Sequence, residues 1–324
     1  MAKRGRSGDD SMLTVVLALL VNLAVAVIKA VAGILTASAG LLAEAAHSVG
    51  DCTTEVFLVT ALRRSDRPAD RRHPFGYGKE RYFWSLLAAM TIFVLGAGFS
   101  VYQGVTTILS GEQDSSSPYV GYIVIGLAAA VESVSLAQAY RRVRRESRKL
   151  STTVTGYVKE PEDPTVKSVI LEDSAALIGL VFALVGLVLR QITGQDAWDG
   201  IAALAIAALL MTVAFELART NVTLLVGRQA NPKLVDEIER CLDEQPEVLS
   251  VVDLRTMMMG TGRVLVCARV DFVEDLSASA AEQACVRFHR VLSERFEEVD
   301  DVFVEPVPND DPNMLAEAEQ TRAV

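Results

Sequence analysis

Six long apolar stretches, separated by short polar segments, occupy the chain up to about Val226. An α-helix needs roughly 20 mainly apolar residues to cross the hydrocarbon core of a bilayer. Each stretch meets that length, so the sequence predicts a membrane protein with six helical spans. The predicted spans are Ser11–Leu35, Gly40–Leu62, Tyr82–Leu109, Pro118–Tyr140, Val166–Arg190 and Trp198–Arg219.

Loops that contain lysine and arginine alternate in this region with loops that contain neither. These basic residues cluster before the first span, in the loop after the second and in the loop after the fourth, whereas the loops 36–39, 110–117 and 191–197 contain none. By the positive-inside rule, the basic segments face the cytoplasm. The sequence therefore predicts that both termini are cytoplasmic.

Beyond Gly227 the composition changes to that of a charged soluble domain. Its pattern predicts the order helix, strand, strand, helix, strand over Pro232–Glu244, Leu249–Met257, Arg263–Phe272, Ser277–Phe296 and Val299–Glu305. We therefore predict an all-α six-helix transmembrane domain over residues 1–226, a small α+β cytoplasmic domain over 227–308 and a disordered tail over 309–324.

The charge and the cysteines exclude some classes of protein. The formal net charge of −10, concentrated in the last hundred residues, argues against nucleic acid as a partner. The four cysteines form no C-x-x-C pair, so we expect buried free thiols in a reducing compartment. Short loops and the absence of a transit segment favour a bacterial inner membrane.

The second span contains His47 and Asp51, four residues apart. This spacing places the imidazole and the carboxylate on one face of a helix, one turn apart. Ionisable groups at membrane depth are costly, so they usually serve a function. The pair is suited to a zinc-like cation; the alternative is a hydrogen bond between helices.

Three further acidic residues lie at predicted membrane depth. Glu172 and Asp173 are adjacent near the start of the fifth span, and about 100° of helical rotation separates them, so we expect only one to face a shared centre. The alternative is a pair stabilised by the helix dipole. Glu132, in the fourth span, is a possible ligand, a proton carrier or the ion-pair partner of Lys29. Asp199 is expected to cap the sixth span, in which it stands.

Several motifs resemble those of the cation diffusion facilitator family. In and between the first two spans, the matching residues are Asn22, Lys29, Gly33, Ser38, Leu41, Glu44, His47, Ser48 and Asp51. The loop before the third span reads His73-Pro74-Phe75-Gly76-Tyr77-Gly78-Lys79-Glu80. The fifth span reads Leu171-Glu172-Asp173-Ser174-Ala175-Ala176, followed by Gly179. The resemblance covers nearly the whole chain. The Leu-Glu-Asp motif is similar to a branch that includes animal mitochondrial zinc transporters.

The resemblance implies a homodimer that exchanges a divalent cation for protons across the bilayer, with a ferredoxin-like cytoplasmic domain. It implies four ligands, two from the second span and two from the fifth. His47, Asp51 and Asp173 match three of them, but the position four residues before Asp173 is Val169. Glu172 is the replacement that this branch suggests, and Glu132 is the next candidate. In the tail, His289 is interpreted as a structural residue.

These observations favour an efflux transporter over an enzyme, with no cofactor and with zinc as the first transported cation. Manganese, iron and cobalt remain open, since oxygen ligands favour harder ions. Two alternatives are a proton-coupled exporter of small organic cations, which would bind at Glu132, and a metal-responsive membrane scaffold that does not transport.

Overall fold

The computed structural model describes residues 7–110, 119–149, 153 and 164–311. The chain divides into two compact units. One comprises Met1–Arg64 and Glu80–Val222, the other Ser65–Lys79 and Thr223–Val324, in so far as their residues are described. The predicted tail over 312–324 lies outside the described residues, and the predicted domain limits stay a prediction.

The first unit consists of long helices that correspond one to one to the predicted spans. We number them α1 to α6: Ser7–Thr36, Ala39–Ser65, Glu80–Ser110, Tyr119–Lys149, Pro164–Thr193 and Ala197–Val226. Within α3, residues Ile92–Gly98 form a π-helical segment. The helices extend beyond most of the predicted limits, because polar residues at helix ends continue the hydrogen-bond ladder past the apolar run.

Five of these helices are long and apolar enough to cross a membrane in the described part of the chain: α1, α3, α4, α5 and α6. The remaining helix, α2, is 27 residues long, which is also enough to cross a membrane. Its apolar content is lower because Glu44, His47, Asp51 and Glu55 stand along it. Charged groups inside a helix bundle are typical of ion pathways.

The core of the first unit is built from small and branched apolar side chains. Leu41, Ile92, Leu180, Ile206 and Leu210 are almost completely buried there. Large apolar side chains such as those of Leu20, Val27 and Ile34 remain exposed on α1. An apolar exterior of this kind is what a lipid environment requires.

The second unit is a three-stranded sheet with helices, in the predicted order. Its elements are α7 (Pro232–Asp243), β1 (Val248–Gly260), β2 (Arg263–Phe272), α8 (Ala278–Arg295) and β3 (Val299–Pro306). The strand β2 pairs antiparallel with β1 and parallel with β3. Asn231 and Ser277 cap α7 and α8 by accepting backbone N–H groups. The predicted α+β fold is confirmed.

The loop between α2 and α3 packs within the second unit. At Gly78, an added Cβ would lie 3.0 Å from the Cα of Gly260 and closer still to Met259. The rings of Phe75 and Phe303 lie 6.4 Å apart, edge to face. The predicted limits assigned this loop to the transmembrane domain, because the loop lies between two spans in the sequence and its contacts are with residues far along the chain.

The cysteines are all free in the described residues, as expected. Cys52 and Cys241 are buried, but Cys267 is exposed and Cys285 is intermediate. The expectation that all four are buried is therefore wrong for Cys267, whose alternate position on β2 turns it outward. Burial of the sulfur atoms nevertheless raises the pKa of both the Cys267 and Cys285 thiols.

Candidate metal site

A pocket lies among α1, α2, α4 and α5. It is open on one side, and its volume is about 570 Å³ when the open solvent at its mouth is included. Five carboxylates contribute to its wall, from three helices: Asp51, Glu55, Glu132, Glu172 and Asp173. Its remaining lining residues are Asn22, Val25, Ser48, Leu58, Ser135 and Val169.

The helix α2 presents three ionisable residues at intervals of four: His47, Asp51 and Glu55. His47 Nδ1 lies 3.5 Å from Asp51 Oδ1, which confirms that they share one face. Asp51 lines the pocket, whereas His47 is not among its lining residues and is 1% exposed. Both ring nitrogens of His47 are buried without a hydrogen-bond partner. The imidazole is therefore available to a ligand that approaches from beside Asp51.

Glu55 is the pocket carboxylate that the sequence reading missed. It lies one turn beyond Asp51, and its Oε1 accepts a hydrogen bond of 2.6 Å from Asn22 Nδ2 on α1. The signal was present in the sequence, since His47, Asp51 and Glu55 follow a repeat of four. The prediction from the sequence included only the first two members of this repeat.

Both members of the acidic pair on α5 line the pocket. Asp173 Oδ2 accepts a hydrogen bond of 2.8 Å from Ser135 Oγ on α4. Glu172 is 8% exposed, and its Oε1 has no partner. The pocket thus extends around enough of α5 to include two adjacent side chains. The expectation that only one of them faces a shared metal centre stays a prediction.

An ion pair with Lys29 was one of the three roles predicted for Glu132, and the structure contains this ion pair. Glu132 Oε1 lies 3.6 Å from Lys29 Nζ while its side chain also lines the pocket. Lys29 lies closer to Glu44, at 3.2 Å, and donates to Ser48 Oγ at 2.9 Å. Ion pairing therefore does not remove Glu132 from the pocket.

The predicted ligands do not yet converge in this arrangement. Within the described ranges, no three His, Cys, Asp or Glu side chains come together closely enough to hold a metal ion. Asp51, Glu132, Glu172 and Asp173 share the pocket, and His47 adjoins it. The predicted ligand set stays a prediction.

The start of α2 is fixed by α6. Asp199 Oδ1 accepts hydrogen bonds from Ser38 Oγ (2.9 Å) and the Gly40 N–H (3.4 Å), and Oδ2 accepts from the Ala39 N–H. The expectation that Asp199 caps its own helix is wrong. The first N–H groups of α2 have no partner within α2, and a buried carboxylate satisfies them.

Arg190 of α5 completes the junction between α1 and α2. Its Nη1 donates to the carbonyl oxygens of Thr36 (3.0 Å) and Ala37 (3.2 Å) at the end of α1. Ala37 has a positive φ of 45°, which is strained for a residue with a side chain. Arg190 also pairs with Asp196. The helix that carries His47 and Asp51 is thus held at its first turn by two other helices.

The second unit offers a different set of polar contacts. His289 is exposed on α8.

In the loop before α3, the Tyr77 hydroxyl donates to Asp70 Oδ2 at 2.7 Å, and the His73 N–H donates to Oδ1 at 2.7 Å. These hydrogen bonds stabilise the ionised form and lower the pKa of Asp70 to about 2.

Comparison with known families covers nearly the whole chain. Residues 15–226 match the model of the cation efflux transmembrane domain. Residues 230–308 match that of the cation efflux protein cytoplasmic domain.

Individual relatives come from animals, plants and bacteria. The chain is 33% identical over 244 residues to the mitochondrial proton-coupled zinc antiporter of Mus musculus, covering 75% of this chain and 43% of that protein. It is 32% identical over 232 residues to a metal tolerance protein of Arabidopsis thaliana, covering 72% and 50%. It is 22% identical over 298 residues to a manganese efflux system protein of Bacillus subtilis, covering 90% and 94%. The chain thus spans about half or less of the length of the mouse and plant relatives.

Proposed function

The chain belongs to the cation diffusion facilitator family, and from that premise we propose that it is a divalent transition-metal efflux transporter working as a cation/proton antiporter. One observation carries the proposal: five carboxylates from α2, α4 and α5 line a single pocket inside the helix bundle. Acidic groups gathered at such a depth repel one another and lose their hydration. A divalent cation or protons relieve that cost.

The exchange follows from competition for the same atoms. A carboxylate or imidazole must be deprotonated to bind a metal cation, so loading the pocket with metal displaces protons. When the pocket is open to the cytoplasm, Asp51 and Asp173 receive the cation. When it is open to the other side, protonation of these carboxylates and of His47 expels the cation and returns protons.

We assign the cargo ligands as His47, Asp51 and Asp173, with Glu172 in place of the missing fourth ligand and Glu132 as a further carboxylate. Glu172 is supported by its partnerless oxygen in the pocket. The orphaned ring nitrogens of His47 support its inclusion, although the imidazole must turn toward the pocket past Asp51. A buried polar atom without a partner is costly unless something binds it.

Zinc is the first cargo to test, because the relative from mouse is named as a zinc antiporter. Manganese is the second, because the lining is rich in oxygen ligands and the Bacillus relative is named as a manganese efflux protein. We propose a homodimer in the inner membrane of a cell, with both termini cytoplasmic. The basic loops support that orientation.

The test is metal-driven proton movement in proteoliposomes that contain the full chain. A zinc gradient is expected to move protons in the opposite direction, and Asp51→Asn is expected to abolish that movement. Asp275→Asn, which changes an exposed acidic residue of the second unit, is the matched control and is expected to behave like the parent.

The same vesicles distinguish the alternatives. Proton movement driven by a small organic cation such as tetramethylammonium, and not by zinc or manganese, would replace the metal proposal with an organic-cation exporter. Metal binding without any flux in either direction would favour the non-transporting scaffold.

A further inference from the structure

A buried ammonium group stands directly behind the pocket. Lys29 of α1 is 0% exposed. Its Nζ donates hydrogen bonds to Glu44 Oε2 at 3.2 Å and to Ser48 Oγ at 2.9 Å, both on α2. It also forms an ion pair with Glu132 Oε1 on α4, at the longer distance of 3.6 Å.

The two carboxylates that share Lys29 differ in their access to the pocket. The side chain of Glu44 is 0% exposed, and Glu44 is not among the lining residues. The side chain of Glu132 is 12% exposed and lines the pocket. Lys29 therefore joins a carboxylate that is fully enclosed in this structure to one that lines the pocket.

The fold makes specific room for the enclosed partner. An added Cβ at Gly179 of α5 would overlap Glu44 Oε1 and lie 3.1 Å from its Cδ. Glycine at this position therefore allows the carboxylate to lie against α5 and still contact Lys29. Glu44 holds the ammonium group in place without itself lining the pocket.

We propose that Lys29 is a tethered counter-cation: it neutralises Glu132 while the pocket holds no cargo, and the transported cation competes with it for Glu132. The proposal rests on the proposed transport function and adds a residue that acts through Glu132 rather than on the metal itself. While the ammonium group pairs with Glu132, that carboxylate attracts a divalent cation less strongly, so the cation binds more weakly. Weaker binding promotes release, which an exporter needs for turnover.

The experiment is calorimetric titration of the purified full-length protein with zinc chloride and, separately, manganese chloride. Lys29→Met removes the charge but keeps most of the length of the side chain. Lys29→Gln also removes the charge and retains hydrogen bonding, so it serves if the methionine variant does not fold. Both are expected to bind metal about tenfold more tightly than the parent. Lys29→Arg keeps the charge and is expected to bind like the parent.

A double-mutant cycle separates this role from a structural one. In a Glu132→Gln background, Lys29→Gln is expected to change the affinity less than about threefold, because the shared carboxylate is gone. In proteoliposomes, Lys29→Gln alone is expected to lower both KM and kcat. Mere loss of structure would weaken binding rather than strengthen it.

Two results would overturn the proposal. One is unchanged or weaker metal binding by the neutral variants, and the other is equal tightening with and without Glu132. If the parent protein binds neither metal, both the proposed transport function and this inference about Lys29 fail. If the parent binds and only the Lys29 variants depart from expectation, the transport function stands and this inference alone falls.

Discussion

The carboxylate of Asp199, at the start of α6, accepts a hydrogen bond of 2.9 Å from the hydroxyl of Ser38, 161 positions earlier in the chain. Ser38 in turn accepts the Leu41 N–H at 3.2 Å, so the pair together caps α2. The helix that carries His47 and Asp51 begins at this contact, which fixes its axial position relative to α6.

Replacing Asp199 by asparagine tests how much this contact stabilises the bundle. The amide offers one acceptor and one N–H₂ donor where three donors now meet two carboxylate oxygens. We expect the free energy of unfolding to fall by about 1–3 kcal/mol. Thermal unfolding in detergent measures it, with Asp275→Asn as the exposed control. Equal melting temperatures would show that the cap contributes nothing.

Gly179 and Gly126 form a matched pair for a second stability prediction. Gly179→Ala places a methyl group against the Glu44 carboxylate, whereas a Cβ at Gly126 meets no atom within 4 Å. The first substitution is expected to destabilise the protein by about 1–3 kcal/mol. The second is expected to be neutral or slightly stabilising, because alanine favours helix more than glycine does. A loss of stability in both, or in neither, would contradict the assigned role of Gly179.

Glu55 provides a test of the pocket as a binding site rather than a cavity. Glu55→Gln removes one of the five carboxylates but keeps an acceptor for Asn22. We expect the affinity for manganese and zinc to fall by about tenfold, corresponding to one charge-assisted contact. Glu216→Gln is the control, since Glu216 pairs with Lys167 at 2.7 Å outside the pocket. Calorimetry that shows no difference between the two variants would exclude Glu55 from the site.

Val169 is one of three apolar residues, with Val25 and Leu58, that line the pocket. Val169→His adds an imidazole one turn before Asp173, and zinc prefers nitrogen ligands more than manganese does. The ratio of zinc to manganese affinity is expected to rise about tenfold. Val169→Ala enlarges the pocket without adding a ligand and is expected to leave the ratio unchanged. An unchanged ratio in the histidine variant would place this position outside the ligand sphere.

The thiols of the second unit give a pH-dependent prediction. Burial raises the pKa of Cys267 and Cys285, and only the thiolate reacts with iodoacetamide. At pH 8 both should therefore be alkylated more slowly than an unfolded-chain cysteine, and the rate should still be rising above pH 9. Peptide-resolved mass spectrometry of the folded and denatured protein measures both rates. An alkylation rate that stops rising below pH 8.5 would contradict the raised pKa of these thiols.

The six helices and the α+β order of the tail were predictable from the sequence. A span needs a run of apolar residues of fixed length, and its backbone hydrogen bonds close within the run. Both conditions are local, so hydropathy reveals them. The shared face of His47 and Asp51 was predictable for the same reason, because a spacing of four fixes direction within one helix.

Contacts between helices were decided only by the tertiary structure. The sequence shows that Lys29, Glu44 and Glu132 lie at membrane depth, but not that one ammonium group contacts both carboxylates. The sequence likewise predicted that Asp199 caps its own helix, whereas in the structure Asp199 caps α2. Such partners depend on how each helix is rotated about its axis and displaced along it. Packing of the whole bundle sets these two quantities, and no segment specifies them alone.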